Sequence, residues 1–178
     1  TQDTVVIFSS DNGYFLGEHR SGDKRAAYEE SIRIPLLVRY PRLFPAGTTN
    51  DRMVLNIDLA PTLLDLAGLP RQSSMQGVSW KDLARGDKAA EQGWRKAFLV
   101  QYYKELGDVP TFYGLRTETH KLVRYTDHPE WTELFDLSAD PYEMRNLAGD
   151  AALLEPLSAQ LKALTGELRY PIGQKPAP

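Results

Sequence analysis

An α/β chain ending in an antiparallel sheet backed by a helix is the architecture the sequence predicts, and three patterns predict it. The chain opens on Thr4-Val5-Val6-Ile7-Phe8, a β-branched apolar run of the kind that forms a strand buried on both faces. Between residues 97 and 137, short β-rich runs alternate with turn residues at the spacing of an antiparallel four-stranded sheet. Leu153, Leu157, Leu161, Leu164 and Leu168 then mark one face of an amphipathic helix that should cover that sheet.

Taken in order, the opening run carries no charge or proline of the kind that protects an edge. It therefore reads as a central parallel strand whose neighbours lie upstream, and the chain as a fragment of a longer protein, the alternative being a small domain whose first strand is an edge strand. Ile34 to Tyr40 gives a second strand of the same sheet. Pro45-Ala46-Gly47-Thr48 is a turn, and Met53 to Ile57 a short extended segment. Asp58 is placed to cap a helix running through Leu59, Leu63, Leu64 and Leu66, stopped by Gly68 and Pro70. Residues 70–95 are polar, glycine-containing and weakly periodic, so the division between a larger domain (1–95) and a smaller one (96–178) is placed there. The strands of the smaller domain are expected at 97–103, 111–117, 121–125 and 132–137. Asp140-Pro141 with Glu143 marks a one-turn helix start. Pro156 leaves the start of the last helix open, and the tail from Gln174 to Pro178 is expected to fray.

Composition narrows the class. Hydrophobic residues make up 42% and charged residues 25%, with a formal charge of -3 and both signs interspersed. That is a globular composition without the basic patch expected of a nucleic-acid or membrane-surface binder. No apolar run approaches the ~18 to 20 residues of a bilayer span, and Thr1 onward shows no signal-peptide pattern. Cysteine is absent, which removes disulfides, thiolate metal sites and a cysteine nucleophile from this chain.

Chemistry is expected at the carboxyl end of the opening strand, where Ser9-Ser10-Asp11-Asn12-Gly13 is followed by Tyr14-Phe15-Leu16-Gly17-Glu18-His19. Asp11 and Asn12 offer oxygen, which suits hard cations such as calcium or magnesium. Gly13 permits a sharp exit, although Asp-Asn-Gly taken alone reads better as a plain strand-ending turn. Lys24 follows, then Tyr28-Glu29-Glu30-Ser31-Ile32-Arg33-Ile34-Pro35. This order resembles the sulfatase family of the alkaline-phosphatase-like superfamily. The resemblance continues through Asn56-Ile57-Asp58-Leu59-Ala60-Pro61-Thr62-Leu63-Leu64-Asp65-Leu66-Ala67-Gly68 and reappears in Glu133-Leu134-Phe135-Asp136-Leu137 and Asp140-Pro141-Tyr142-Glu143-Met144-Arg145-Asn146-Leu147.

The resemblance implies an alkaline-phosphatase-like sulfatase fold of which this chain is the C-terminal part. Residues 1–95 would complete the large α/β domain and 96–178 would form the small subdomain. It implies that Asp11 and Asn12 are two ligands of a calcium-type ion (magnesium being the alternative) and that Lys24 contacts the sulfate group. The remaining carboxylate ligands and the nucleophile, a formylglycine made in a Cys/Ser-x-Pro/Ala-x-Arg motif, would lie in an N-terminal part of the same protein. Ser9-Ser10 and Ser73-Ser74 lack that spacing. His19, the histidine near these residues, is a candidate to assist the leaving group, with substrate binding or a structural role in the loop as its alternatives. The implied substrate is a sulfate-ester small molecule or sulfated carbohydrate, and the implied location of the full-length protein is periplasmic or secreted. The chain alone is expected to be inactive, to hold metal weakly and to self-associate through residues 1–40. Two other functions stay open: a phosphoester or phosphonate hydrolase of the same superfamily, which Asn12 disfavours because those relatives more often place histidine there, and a non-catalytic interaction module.

Other residues read as structural. Glu29 and Glu30 are expected to pair with Arg33, and Tyr14 lines either the pocket or the core. His120 and His128 are read as surface or loop residues, and Trp80, Trp94 and Trp131 as packing.

Overall fold

The computed structural model describes residues 2–104 and 109–166; Leu168 and the tail from Gln174 lie outside them. In chain order the elements are β1 (Val6–Ser9), β2 (Phe15–Leu16), β3 (Gly22–Asp23), α1 (Glu29–Ile32), β4 (Leu36–Arg39), α2 (Leu59–Leu66), α3 (Lys81–Ala84) and α4 (Lys88–Gly93). Then come β5 (Ala97–Tyr102), β6 (Phe112–Thr117), β7 (His120–Tyr125), β8 (Glu133–Asp136) and α5 (Ala151–Gly166). Among the described residues no helix is long and apolar enough to cross a membrane. The chain divides into two compact units, Thr1–Asp11 with Pro35–Arg95 and Asn12–Ile34 with Lys96–Pro178. Residues 12–34 thus group with the second unit, whereas the sequence places a single division near residue 95.

In the first unit, β1 pairs with β4, as expected, but antiparallel, with Ile7 opposite Val38. Burial alternates along both strands within this chain. Ile7, Leu36 and Val38 pack onto a core of Phe44, Trp80 and Leu83, while Val6, Phe8 and Leu37 are 50%, 60% and 65% exposed. Period-two geometry sends consecutive side chains to opposite faces, and only one face is covered in the described residues.

The cap expected at Asp58 is also corrected. Its side chain makes no capping bond to α2. It is fully buried and accepts from Leu55 N–H and Val78 N–H, each at 2.8 Å, and from both ends of the Arg95 guanidinium at 2.5 and 2.8 Å. Thr62, in α2, accepts from Trp80 N–H through its hydroxyl. These bonds fold residues 70–95 onto α2, so the stretch read as weakly periodic carries α3, α4 and the buried Trp80 and Leu83. Helices of four and six residues are too short to register as a 3.6-residue period.

The second unit contains the predicted sheet, with order β5-β6-β7-β8 and every pairing antiparallel. Leu122 is the cross-strand partner of both Leu115 and Leu134, and the three form a buried cluster with Leu161 of α5 on one face. Pro156 lies inside α5. The other face carries Phe112, Gly114 and Arg116, then Lys121, Val123 and Tyr125, then Glu133 and Phe135, by strand alternation. Ala27 packs against Phe112 and Val123 there. The helix start expected at Asp140 is a turn instead. Glu143 N–H reaches Asp140 O, but Glu143 then adopts φ 53 and leaves the helical region.

Removing the Asp58 carboxylate would leave the partly buried Arg95 without its counter-charge and two N–H groups unpaired. Asp58→Ala should lower the unfolding free energy by about 3–5 kcal/mol, read from urea denaturation. Asp82→Ala, at an exposed carboxylate, should change it by less than about 0.5 kcal/mol. Equal effects of the two would contradict the hub role of Asp58.

Candidate functional site

The segment from Asn12 to Glu30 is built by close backbone contacts. Gly13 N–H donates to Ser31 O at 2.8 Å, and a Cβ on Gly13 would meet Glu30 O at 1.9 Å. Only glycine permits that approach. Phe15 and Leu16 pair with Asp23 and Gly22 as a minimal hairpin, closed by Gly17 at φ 122 and a 3-10 turn over Glu18–Arg20. Glu18 accepts from Leu16 N–H, and such backbone hydrogen bonds hold its carboxyl below the usual range. His19, Arg20 and Asp23 have φ of 53, 55 and 69. Left-handed backbone at three non-glycine residues is strain of the sort that persists only where surroundings enforce it.

The predicted residues fall as follows. Lys24 Nζ donates to Asn12 Oδ1 at 2.9 Å, which brings the candidate sulfate ligand and one candidate metal ligand together. Asn12 Nδ2 donates to its neighbour's carbonyl, Gly13 O, at 2.7 Å, which fixes the amide orientation. Asp11 is exposed, and the division between the two units falls between it and Asn12. His19 turns inward. Its ring stacks on Tyr28 at 3.8 Å with planes 8° apart, meets Phe15 edge-on, and places Nε2 3.4 Å from Glu30 Oε2. Glu30 therefore faces His19 rather than Arg33.

As a cation site the Asp11–Asn12 pair has the right donor type and too few donors. Calcium takes about six to eight oxygens. Among the described residues no group of three or more His, Cys, Asp and Glu side chains is placed to hold a metal ion.

Sequence reading missed the anchor beneath this segment. Glu29 does not pair with Arg33. It accepts from Arg116 Nε and Nη2 at 3.2 and 3.1 Å and from Lys121 Nζ at 3.2 Å. Lys121 is 1% exposed and also pairs with Glu143 Oε1 at 2.5 Å. Glu143 Oε2 in turn accepts the Glu29 N–H at 2.7 Å, closing the start of α1. Alongside, Glu133 accepts from Tyr28 at 2.7 Å and from Tyr125 at 3.0 Å. Burial, then the bond to or charge of Glu133, pushes both phenols well above their ordinary range, so both remain donors. One signal was available: Lys121 shares its strand face with Val123 and Tyr125, where a lysine needs a buried partner.

Burial raises the Glu29 carboxyl, but the hydrogen bonds and charges of Arg116 and Lys121 outweigh it, and the net shift is downward from 4.5. Burial raises Glu143. A lowered carboxyl contributes stability that is present above the unfolded value and is lost as pH falls through the folded one. The stability advantage of the parent over Glu29→Gln should therefore be full above pH 4.5 and shrink on acidification below it, measured by urea denaturation across pH. An advantage that grew toward acid would contradict this assignment.

The family model for the C-terminal region of N-sulphoglucosamine sulphohydrolase matches residues 17–170. The N-acetylglucosamine-6-O-sulfatase of Bacteroides thetaiotaomicron is 43% identical over 151 residues, covering 83% of this chain and 27% of that protein. A protein solved in complex with its substrate D-glucosamine-2-N,6-O-disulfate superposes with a TM-score of 0.80 at 38% identity, over 90% of this chain and 33% of its own. The phosphonate monoester hydrolase of Agrobacterium radiobacter has the same TM-score, 0.80, at 26% identity, over 93% of this chain and 36% of its own. The chain thus spans about a third or less of the proteins it matches, with 27% of the first. Its fold is that of the alkaline-phosphatase-like sulfatases, and it belongs to the sulfatase family of sulfuric ester hydrolases as a C-terminal portion of the N-sulphoglucosamine sulphohydrolase type.

Proposed function

We propose that this chain contributes the sulfate-facing wall of a sulfuric ester hydrolase acting on sulfated amino sugars. The observation that carries the reading is the 2.9 Å bond between Lys24 Nζ and Asn12 Oδ1. Cleavage of a sulfate ester builds negative charge on the oxygens around sulfur, and a fixed ammonium aimed at those oxygens stabilises that charge. In this reading Lys24 binds the sulfate group, and Asp11 and Asn12 give two oxygens to a calcium-type or magnesium ion. The other ligands and the formylglycine nucleophile belong to chain outside these residues, so the chain alone is inactive. When bound, the ion adds Lewis-acid stabilisation of the same oxygens. His19 sits on Tyr28 and beside Glu30, which supports a positioning role for it over direct proton transfer. The substrate class is supported by the amino-sugar sulfatase and the glucosamine disulfate complex among the similar proteins.

A second reading, phosphonate or phosphate ester hydrolysis, is favoured by the likeness to the phosphonate monoester hydrolase. Both are separated by anion titration of the chain, read on the Asn12 side-chain amide by NMR. Sodium sulfate should shift that signal saturably, and Lys24→Ala should weaken the effect at least about tenfold, as expected for removal of a charged ligand. Tighter binding of phosphate would favour the second reading, and an unchanged response in Lys24→Ala would overturn both.

A further inference from the structure

We infer that Glu29, through its ion pairs with Arg116 and Lys121 and its link to Glu143, is a positioning residue that sets the place of Asn12 and Lys24. The inference rests on the proposed role of that pair. It begins with α1, which has only four residues. A single helical turn does not hold itself in water, and Tyr28 gives α1 no side-chain cap. Its first N–H is instead closed by Glu143, 114 residues away in sequence, and its first side chain is gripped by two cations of the sheet face.

Two residues further on, Ser31 is 4% exposed and holds the backbone at Lys24 and beside Asn12. Its carbonyl accepts the N–H of Gly13, next to Asn12. Its hydroxyl donates to the carbonyl of Lys24 itself. Asn12 and Lys24, twelve residues apart, are thus hung from one serine, and that serine sits on a helix anchored by Glu29. The Glu30 carbonyl directly under Gly13 leaves no slack in the arrangement. A buried ion cluster is seldom the most stable filling for such a space, since apolar side chains of similar volume often do as well or better. What the charges supply is a fixed register of α1 on the sheet.

Amide hydrogen exchange on the 178-residue chain tests this directly, with sodium sulfate titration run on the same samples. Glu29→Ala should speed exchange at Gly13 and Ser31 by at least about tenfold, with sheet amides of β7 and β8 changing less than about threefold, the pattern of local rather than global opening. Glu29→Gln, which keeps the shape and hydrogen-bonding capacity, should fall between the two and serves if the alanine variant does not fold. Leu161→Ala is the stability-matched control on the opposite face. It should loosen α5 and leave Gly13 no more exposed than the sheet. Sulfate affinity should fall at least about fivefold in Glu29→Ala and stay within about twofold in Leu161→Ala, because only the first moves a ligand. The inference is overturned if Gly13 exchange rises no more than that of the sheet in the Glu29 variants, or rises equally in Leu161→Ala. A parent chain with no sulfate response removes the functional reading alone, and exchange at Gly13 still decides the anchoring.

Discussion

Arg116 and Lys121 stand side by side on neighbouring strands of one sheet face, and the carboxylate of Glu29 closes on both. Lys121 cannot relax into solvent, being 1% exposed. A charge so placed must keep its partners, because an uncompensated buried ion costs several kcal/mol on the order of magnitude found for broken buried pairs. Glu143 supplies the second carboxylate, which balances two cations with two anions and holds the turn after β8 against the same lysine. One cluster therefore fixes three things at once: the turn around Glu143, the helix α1, and the sheet beneath them.

What hangs on that cluster is a loop that would not hold its shape alone. His19, Arg20 and Asp23 sit in left-handed backbone, and the hairpin pairing there spans only two residues per strand. Local bonds help, through Glu18 to Leu16 N–H and the Asp23–Arg25 ion pair. The stack of His19 on Tyr28 adds contact, and Tyr28 is tied to the sheet by Glu133. The strain is thus offset by contacts outside the loop. In the role proposed for Lys24, such preorganisation would be the property that matters, since groups already in place need no reorganisation during reaction.

Much of this was legible in the residues. The four strands of the second unit were placed to within about two residues because their alternation is clean, the usual precision at element ends. The leucines of α5 stood out by spacing alone, and the motifs singled out Asn12 and Lys24, whose side chains the structure joins by a hydrogen bond. What escaped depended on pairings distant in sequence. Glu29 looked toward Arg33 because i, i+4 partners are visible locally, whereas Arg116 and Lys121 lie 87 and 92 residues away. Asp58 looked like a cap because its position before α2 is a local signal, while its partner Arg95 is 37 residues on.

The dependence of the loop on its buried charges is tested most directly by a double-mutant cycle between Glu29 and Lys121, with stability measured by urea denaturation. Glu29→Gln, Lys121→Met and the double variant isolate the pair, and Lys81→Met paired with Glu29→Gln serves as the uncoupled reference. A coupling of about 1–3 kcal/mol in the first cycle, against less than about 0.5 kcal/mol in the reference, is the predicted result. Additive effects in the first cycle would contradict it, since the anchor would then be packing alone.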